Sequence, residues 1–160
     1  MRIRYASLGQ VIAVCALGTG LIIALDDLGL LIASLSSLFP PLAAYLALFV
    51  GMVASALFVR SFMFTAEAHL VVLGILAVFW TAVAGGVALA AFMNLERVVE
   101  GNGLQFAMFI RIPGWFMIGA IFNAYVALPI AMGMLWILKH FSGPAARGTS
   151  RNDSPTAGRS

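Results

Sequence analysis

The chain has 160 residues, of which 62% are hydrophobic and 9% charged, whereas soluble domains devote about a quarter of their residues to charge. Its apolar side chains must therefore face lipid as well as one another. About 20 residues cross a hydrocarbon core of about 30 Å, so four crossings with their connections nearly exhaust the length and exclude a second folded domain.

The first charge-free run, Tyr5 to Leu25, follows Arg2 and Arg4. It resembles a signal peptide in its charged start. It is too long for an h-region, however, and lacks a small-x-small cleavage site, so an uncleaved first span over residues 6–25 is expected. Cys15 is the only cysteine and lies between Val14 and Ala16. It reads as a small buried hydrophobe, and one thiol builds neither a disulfide nor a CxxC pair.

The next run, Leu28 to Val59, is too long for one crossing and is divided by Pro40-Pro41. Proline suits a first helical turn, which predicts a second span over 40–59. Ahead of it, Leu28, Leu31, Ile32, Leu35, Leu38 and Phe39 recur at helical spacing, with Gly29, Ala33, Ser36 and Ser37 between them. That pattern predicts a short amphipathic helix lying at the outer interface, with a re-entrant segment as the rival.

A third span over 69–93 is predicted to project beyond the membrane, because Leu95, Val98 and Val99 continue its periodicity until Gly101-Asn102-Gly103. Leu104 to Ile110 dips back toward the interface. The fourth span covers 113–138, with Trp115 and Trp136 near its two ends, where amphipathic rings prefer the headgroup level. From Gly143 to Ser160 the composition turns to Ser, Gly, Pro, Arg, Asn and Thr. A disordered cytoplasmic tail over 143–160 is expected after a single transmembrane domain over 1–142. The fold class is thus all-α: a four-helix membrane bundle with a short outer interfacial helix.

Positive charge near span ends marks the cytoplasmic side. With both termini inside, Arg2, Arg4, Arg60 and Lys139 lie on that side, against Arg97 and Arg111 outside. The formal net charge of +3 is then mostly an insertion signal, and no nucleic-acid partner is expected. Arginine outnumbers lysine eight to one, a usage that points to a GC-rich bacterial genome and hence to a bacterial inner membrane.

Three groups of residues are candidates for a site. His69 and His140 start the third span and end the fourth, at the same cytoplasmic depth. They are possible haem or metal ligands, with Glu67 as a third donor, but histidines at span edges are more often interfacial. Asp26, Asp27, Glu96 and Glu100 form an outer acidic rim, read as a solvated edge with Arg97 as partial neutraliser. Asn123 and Tyr125 are the most polar residues deep in the fourth span, with Pro129 beyond them. They serve either helix packing or a pathway through a kink.

Small residues four apart, Gly51 with Ser55, Ala82 with Gly86 and Ala90, Ala120 with Ala124, and Ala127 with Ala131, mark close helix contacts. No span carries an embedded acid or base, and HExxH, G-x-S-x-G and P-loop patterns are absent. No enzyme activity and no cofactor are expected. The first expectation is a non-catalytic accessory, assembly or immunity-type component that packs against another membrane protein or itself within the lipid bilayer. The second is a small transporter or channel active as an oligomer, and the third a haem or metal carrier.

Overall fold

The computed structural model describes residues 3–4, 6–34, 39–62 and 69–144, with backbone alone for 3–4 and 143–144. Among the described residues five helices run in chain order: α1 (Leu8–Asp27), α2 (Pro41–Val59), α3 (Leu70–Val99), α4 (Met108–Phe122) and α5 (Ala124–Phe141). Four of them, α1, α2, α3 and α5, are long and apolar enough to cross a membrane. The protein is therefore an all-α, membrane-embedded bundle, as its composition requires. A two-residue antiparallel pairing, β1 (Ile3–Arg4) with β2 (Gly143–Pro144), joins the two ends of the described chain.

Helix boundaries follow local chemistry. Ser7 and Gln10 form a capping box at the start of α1: Gln10 N–H donates to Ser7 Oγ at 3.3 Å and Ser7 N–H to Gln10 Oε1 at 2.8 Å. Pro41 occupies the first position of α2. Both α1 and α3 end in a left-handed glycine, Gly29 at φ 67° and Gly101 at φ 81°. At each end the residue after the glycine closes the cap, with Leu30 N–H donating to Leu25 O at 2.9 Å and Asn102 N–H to Arg97 O at 2.8 Å.

Gly29 also corrects the expected interfacial helix. Its left-handed backbone ends α1 and turns the chain, so residues 28–34 form turns and bends and not an amphipathic helix. Residues 35–38 lie outside the described residues, as do Glu67 and most of the expected tail.

The helices pack as a ring in which α1 meets α2 and α5, and α3 meets α2 and α5, with α4 laid along the C-terminal half of α3. The α2–α3 interface is the largest. It is close because Gly51 faces backbone: a Cβ there would stand 2.5 Å from Thr81 O and 2.7 Å from Gly85 N. Ser55, four residues on, is buried and donates to the Ala77 carbonyl across the same seam at 2.8 Å. Gly86 meets the Pro113 backbone, with 2.4 Å between its would-be Cβ and Pro113 Cα, and so seats α4 on α3. Ala82 and Ala90 are buried beside it with Ile112 and Phe116. The stripes Gly51/Ser55 and Ala82/Gly86/Ala90 are thus consumed inside one chain.

Around Val11, Val14 and Cys15 of α1, a second cluster gathers Leu48, Met52 and Val59 of α2, Leu73 and Ala77 of α3, and Leu135 and Leu138 of α5. Cys15 is fully buried there, in keeping with its reading as a small hydrophobe. At the other rim, Ala6 N–H donates to Ser142 Oγ at 2.9 Å, so the start of α1 and the end of α5 lie on the same side of the bundle.

The expected fourth span is two helices. Its first half begins earlier, at Met108, and helical hydrogen bonding breaks at Asn123, where Val126 N–H and Ala127 N–H both donate to Asn123 O at 3.0 and 2.8 Å. Pro129, which lacks an N–H and crowds the carbonyl four residues back, sits inside α5 just beyond the break.

Replacing Gly51 by Leu should destabilise the protein by at least about 2 kcal/mol, because the opposing atoms are backbone and cannot move aside. Gly20→Ala, in open space on α1, should be neutral or stabilising by up to about 1 kcal/mol. Thermal unfolding in mild detergent checks both.

Candidate functional site

The break at Asn123 is where the sequence placed its most polar intramembrane residues, and the structure joins them to the α1–α2 connection. As the residue before α5, Asn123 caps no helical N–H with its side chain. Its carboxamide reaches across instead: Oδ1 accepts from Ile32 N–H at 2.9 Å and from Ala33 N–H at 3.3 Å, and Nδ2 donates to the Ala33 carbonyl at 2.8 Å. Tyr125 adds a fourth contact, its hydroxyl donating to the Leu30 carbonyl.

A chain that leaves a helix beside hydrocarbon exposes N–H and C=O groups that have no water to bond, so non-helical backbone needs protein partners. One amide side chain, carrying two acceptor lone pairs and two donor hydrogens, satisfies three such groups at once.

Leu31 shares a pocket wall with Ile22 of α1 and Phe116 of α4, so the start of the connection lies against the bundle. Pro129 is exposed on α5 and makes no part of the latch.

A second amide does the same work near the C-terminal end of α3. Asn94 is 2% exposed. It accepts from Gln105 N–H at 2.8 Å and donates to the Ala90 carbonyl at 2.9 Å and the Gln105 carbonyl at 3.4 Å, fastening the α3–α4 loop. Sequence reasoning passed over Asn94 because it stood at the predicted edge of a span. The signal was an amide just inside an apolar run, followed by a glycine-ended loop.

The acidic rim divides by element. Asp26 ends α1 and accepts from Tyr45 Oη at 2.7 Å, beside exposed Asp27. Glu96 and Glu100 are exposed at the end of α3, where Glu100 Oε2 accepts from Asn102 Nδ2 at 3.4 Å. Arg97 Nε is buried with no hydrogen-bond partner. His69 precedes α3 and His140 ends α5; both are exposed, and the His140 ring stacks on Trp136 at 6.1 Å between centroids. Among the described residues, no three His, Cys, Asp or Glu side chains gather as a metal site would require.

Below the latch lies a pocket of about 110 Å³ between α1, α2, α3 and the α4–α5 pair. Its wall is apolar almost throughout; Ser55, Thr81 and Asn123 are the polar residues in it. None of the described lining residues is ionisable.

Comparison with known proteins found no matching protein family, curated protein or solved structure.

Asn123→Ala leaves three backbone groups without partners and should destabilise the protein by about 1–3 kcal/mol. Tyr125→Phe removes a single bond and should cost less, about 0.5–1.5 kcal/mol. Equilibrium unfolding in detergent measures both, and a smaller loss for Asn123→Ala than for Tyr125→Phe would contradict the latch.

Proposed function

We propose that the protein is a non-catalytic component of a bacterial inner membrane, an accessory, assembly or immunity-type protein that acts by packing against another membrane protein or a second copy. The observation that carries this reading is the uneven coverage of the bundle. Only 11% of the apolar window of α5 is buried, against 44% for α2. Tyr125, Pro129, Gly133 and Trp136 are exposed on α5, and nothing lies within 4 Å of a Cβ built on Gly133. A small residue between two aromatic side chains on an open helix face lets another helix approach closely. With the stripes of α2 and α3 used internally, this face stays open to a partner.

Two features support a second reading, a small transporter or channel active as an oligomer: the broken fourth span and the pocket beneath it. The pocket's apolar wall and the commitment of Asn123 to the Ile32–Ala33 backbone favour the packing role.

We place both termini in the cytoplasm. The contact between Ala6 and Ser142 supports a common side, and the distribution of Arg and Lys supports the cytoplasmic one.

Since Cys15 is buried, a cysteine introduced at Gly133 would be the accessible thiol. In native membranes Gly133→Cys should crosslink to a neighbouring protein, while Leu17→Cys, 73% exposed on α1, should not. A partnerless monomer for both would overturn the packing role. For orientation, Asn102→Cys should react with an impermeant maleimide in intact cells and Ser61→Cys only after permeabilisation; the reverse pattern would invert the topology.

A further inference from the structure

The pocket under the latch has a composition that packing alone does not require. On its α4–α5 side stand Gly119, Ala120, Ala127 and Ala131, and no atom lies within 4 Å of a Cβ built on Gly119. Elsewhere the bundle fills such positions tightly: Met134 closes on Gly18 and Met132 on Gly74. Small residues at Gly119 and Ala127 hold this space open where larger ones would fill it.

Two of its three polar side chains have little left for a ligand. Ser55 Oγ donates to Ala77 O, and the Asn123 carboxamide holds Ile32 and Ala33. A polar molecule entering here would lose its hydration without replacement, which costs several kcal/mol per group.

The volume of about 110 Å³ approaches the roughly 150 Å³ at which an apolar protein cavity stays dry and takes up benzene. Filling it with CH₂ groups restores dispersion contacts that the lining atoms otherwise lack.

There is also a way in. The pocket is partly open. α1 and α4 share no substantial interface, and Ile22 of α1, Phe116 of α4 and Leu31 all line the pocket. Both α1 and α4 are apolar helices, so a bilayer presents hydrocarbon to that side.

We propose that the pocket between α1, α2, α3 and the α4–α5 break is a binding site for a hydrocarbon chain drawn from the bilayer, closed at its outer end by Leu31 and the segment hung from Asn123. The chain belongs either to a phospholipid or to a free membrane-dissolved lipophile.

The test uses the full-length protein in vesicles of phosphatidylethanolamine and phosphatidylglycerol containing one of two photoreactive probes. One is a phospholipid with a diazirine on its acyl chain; the other is a long-chain alcohol carrying the same group. Adducts are mapped by peptide mass spectrometry, with lipid-exposed Leu17 as the internal control. Adducts at Thr81 and at Ala127 are expected. Labelling there by the phospholipid identifies an acyl tail, and labelling by the alcohol alone identifies a free lipophile. Labelling of Leu17 without either pocket residue, with both probes, would overturn the proposal. Gly119→Leu should abolish the pocket adducts while leaving Leu17 labelled, with Ala127→Leu as the second blocking variant, read at Thr81, should the first fail to fold. Pocket adducts undiminished in a folded blocking variant would also overturn it.

Discussion

A peptide group that leaves helical geometry next to lipid must find its hydrogen-bond partner in protein, because no water is there to supply one. The chain meets this demand with two asparagine side chains. Asn94 fastens the loop between α3 and α4, and Asn123 fastens the return from α1 to α2. Each uses both ends of its carboxamide on backbone. Asn123 has the wider influence of the two, because it stands at the break between α4 and α5. Freed from capping α5, it holds Ile32 and Ala33, and Leu31 beside them lines the pocket below.

Packing is unequal around the ring, and the inequality separates structural from functional surface. Gly51 against Gly85, and Gly86 against Pro113, bring backbones together closely enough that side chains are excluded. These contacts assemble α2, α3 and α4 into one rigid wall. On the other side, α1 and α5 carry less buried surface, and α5 offers an open face with Gly133 among aromatic neighbours. Two kinds of recognition can then coexist: a protein surface on the outside of α5 and a hydrocarbon site on its inside.

Much of the architecture was legible in the chain because membrane insertion is read from the absence of charge over about 20 residues. The boundaries of α1 and α2 fall close to the predicted ones, and Gly101 ends α3 where its periodicity stops. The fourth crossing was harder. An apolar run of that length does not say where its hydrogen bonding breaks, and Pro129 drew attention from Asn123, which lies six residues earlier. The segment after α1 was misread for a related reason. Leu28, Leu31 and Ile32 keep helical spacing, yet Gly29 between them takes a left-handed conformation that ends the helix. Periodicity counted the apolar residues and missed the stop. Asn123 and Tyr125 were recognised as needing partners, but those partners are backbone groups about 90 positions away, which no local pattern encodes. The pocket was equally invisible, being defined by small residues that read as helix contacts.

The central claim is that the Asn123 carboxamide satisfies the Ile32 and Ala33 amides. Residue-resolved hydrogen exchange of the protein in lipid nanodiscs measures it directly. The account predicts strong protection of those two amides relative to Gly103 in the exposed α3–α4 loop, and loss of that protection in Asn123→Ala. Exchange at Ile32 and Ala33 as fast as at Gly103, or protection that survives the substitution, would contradict it.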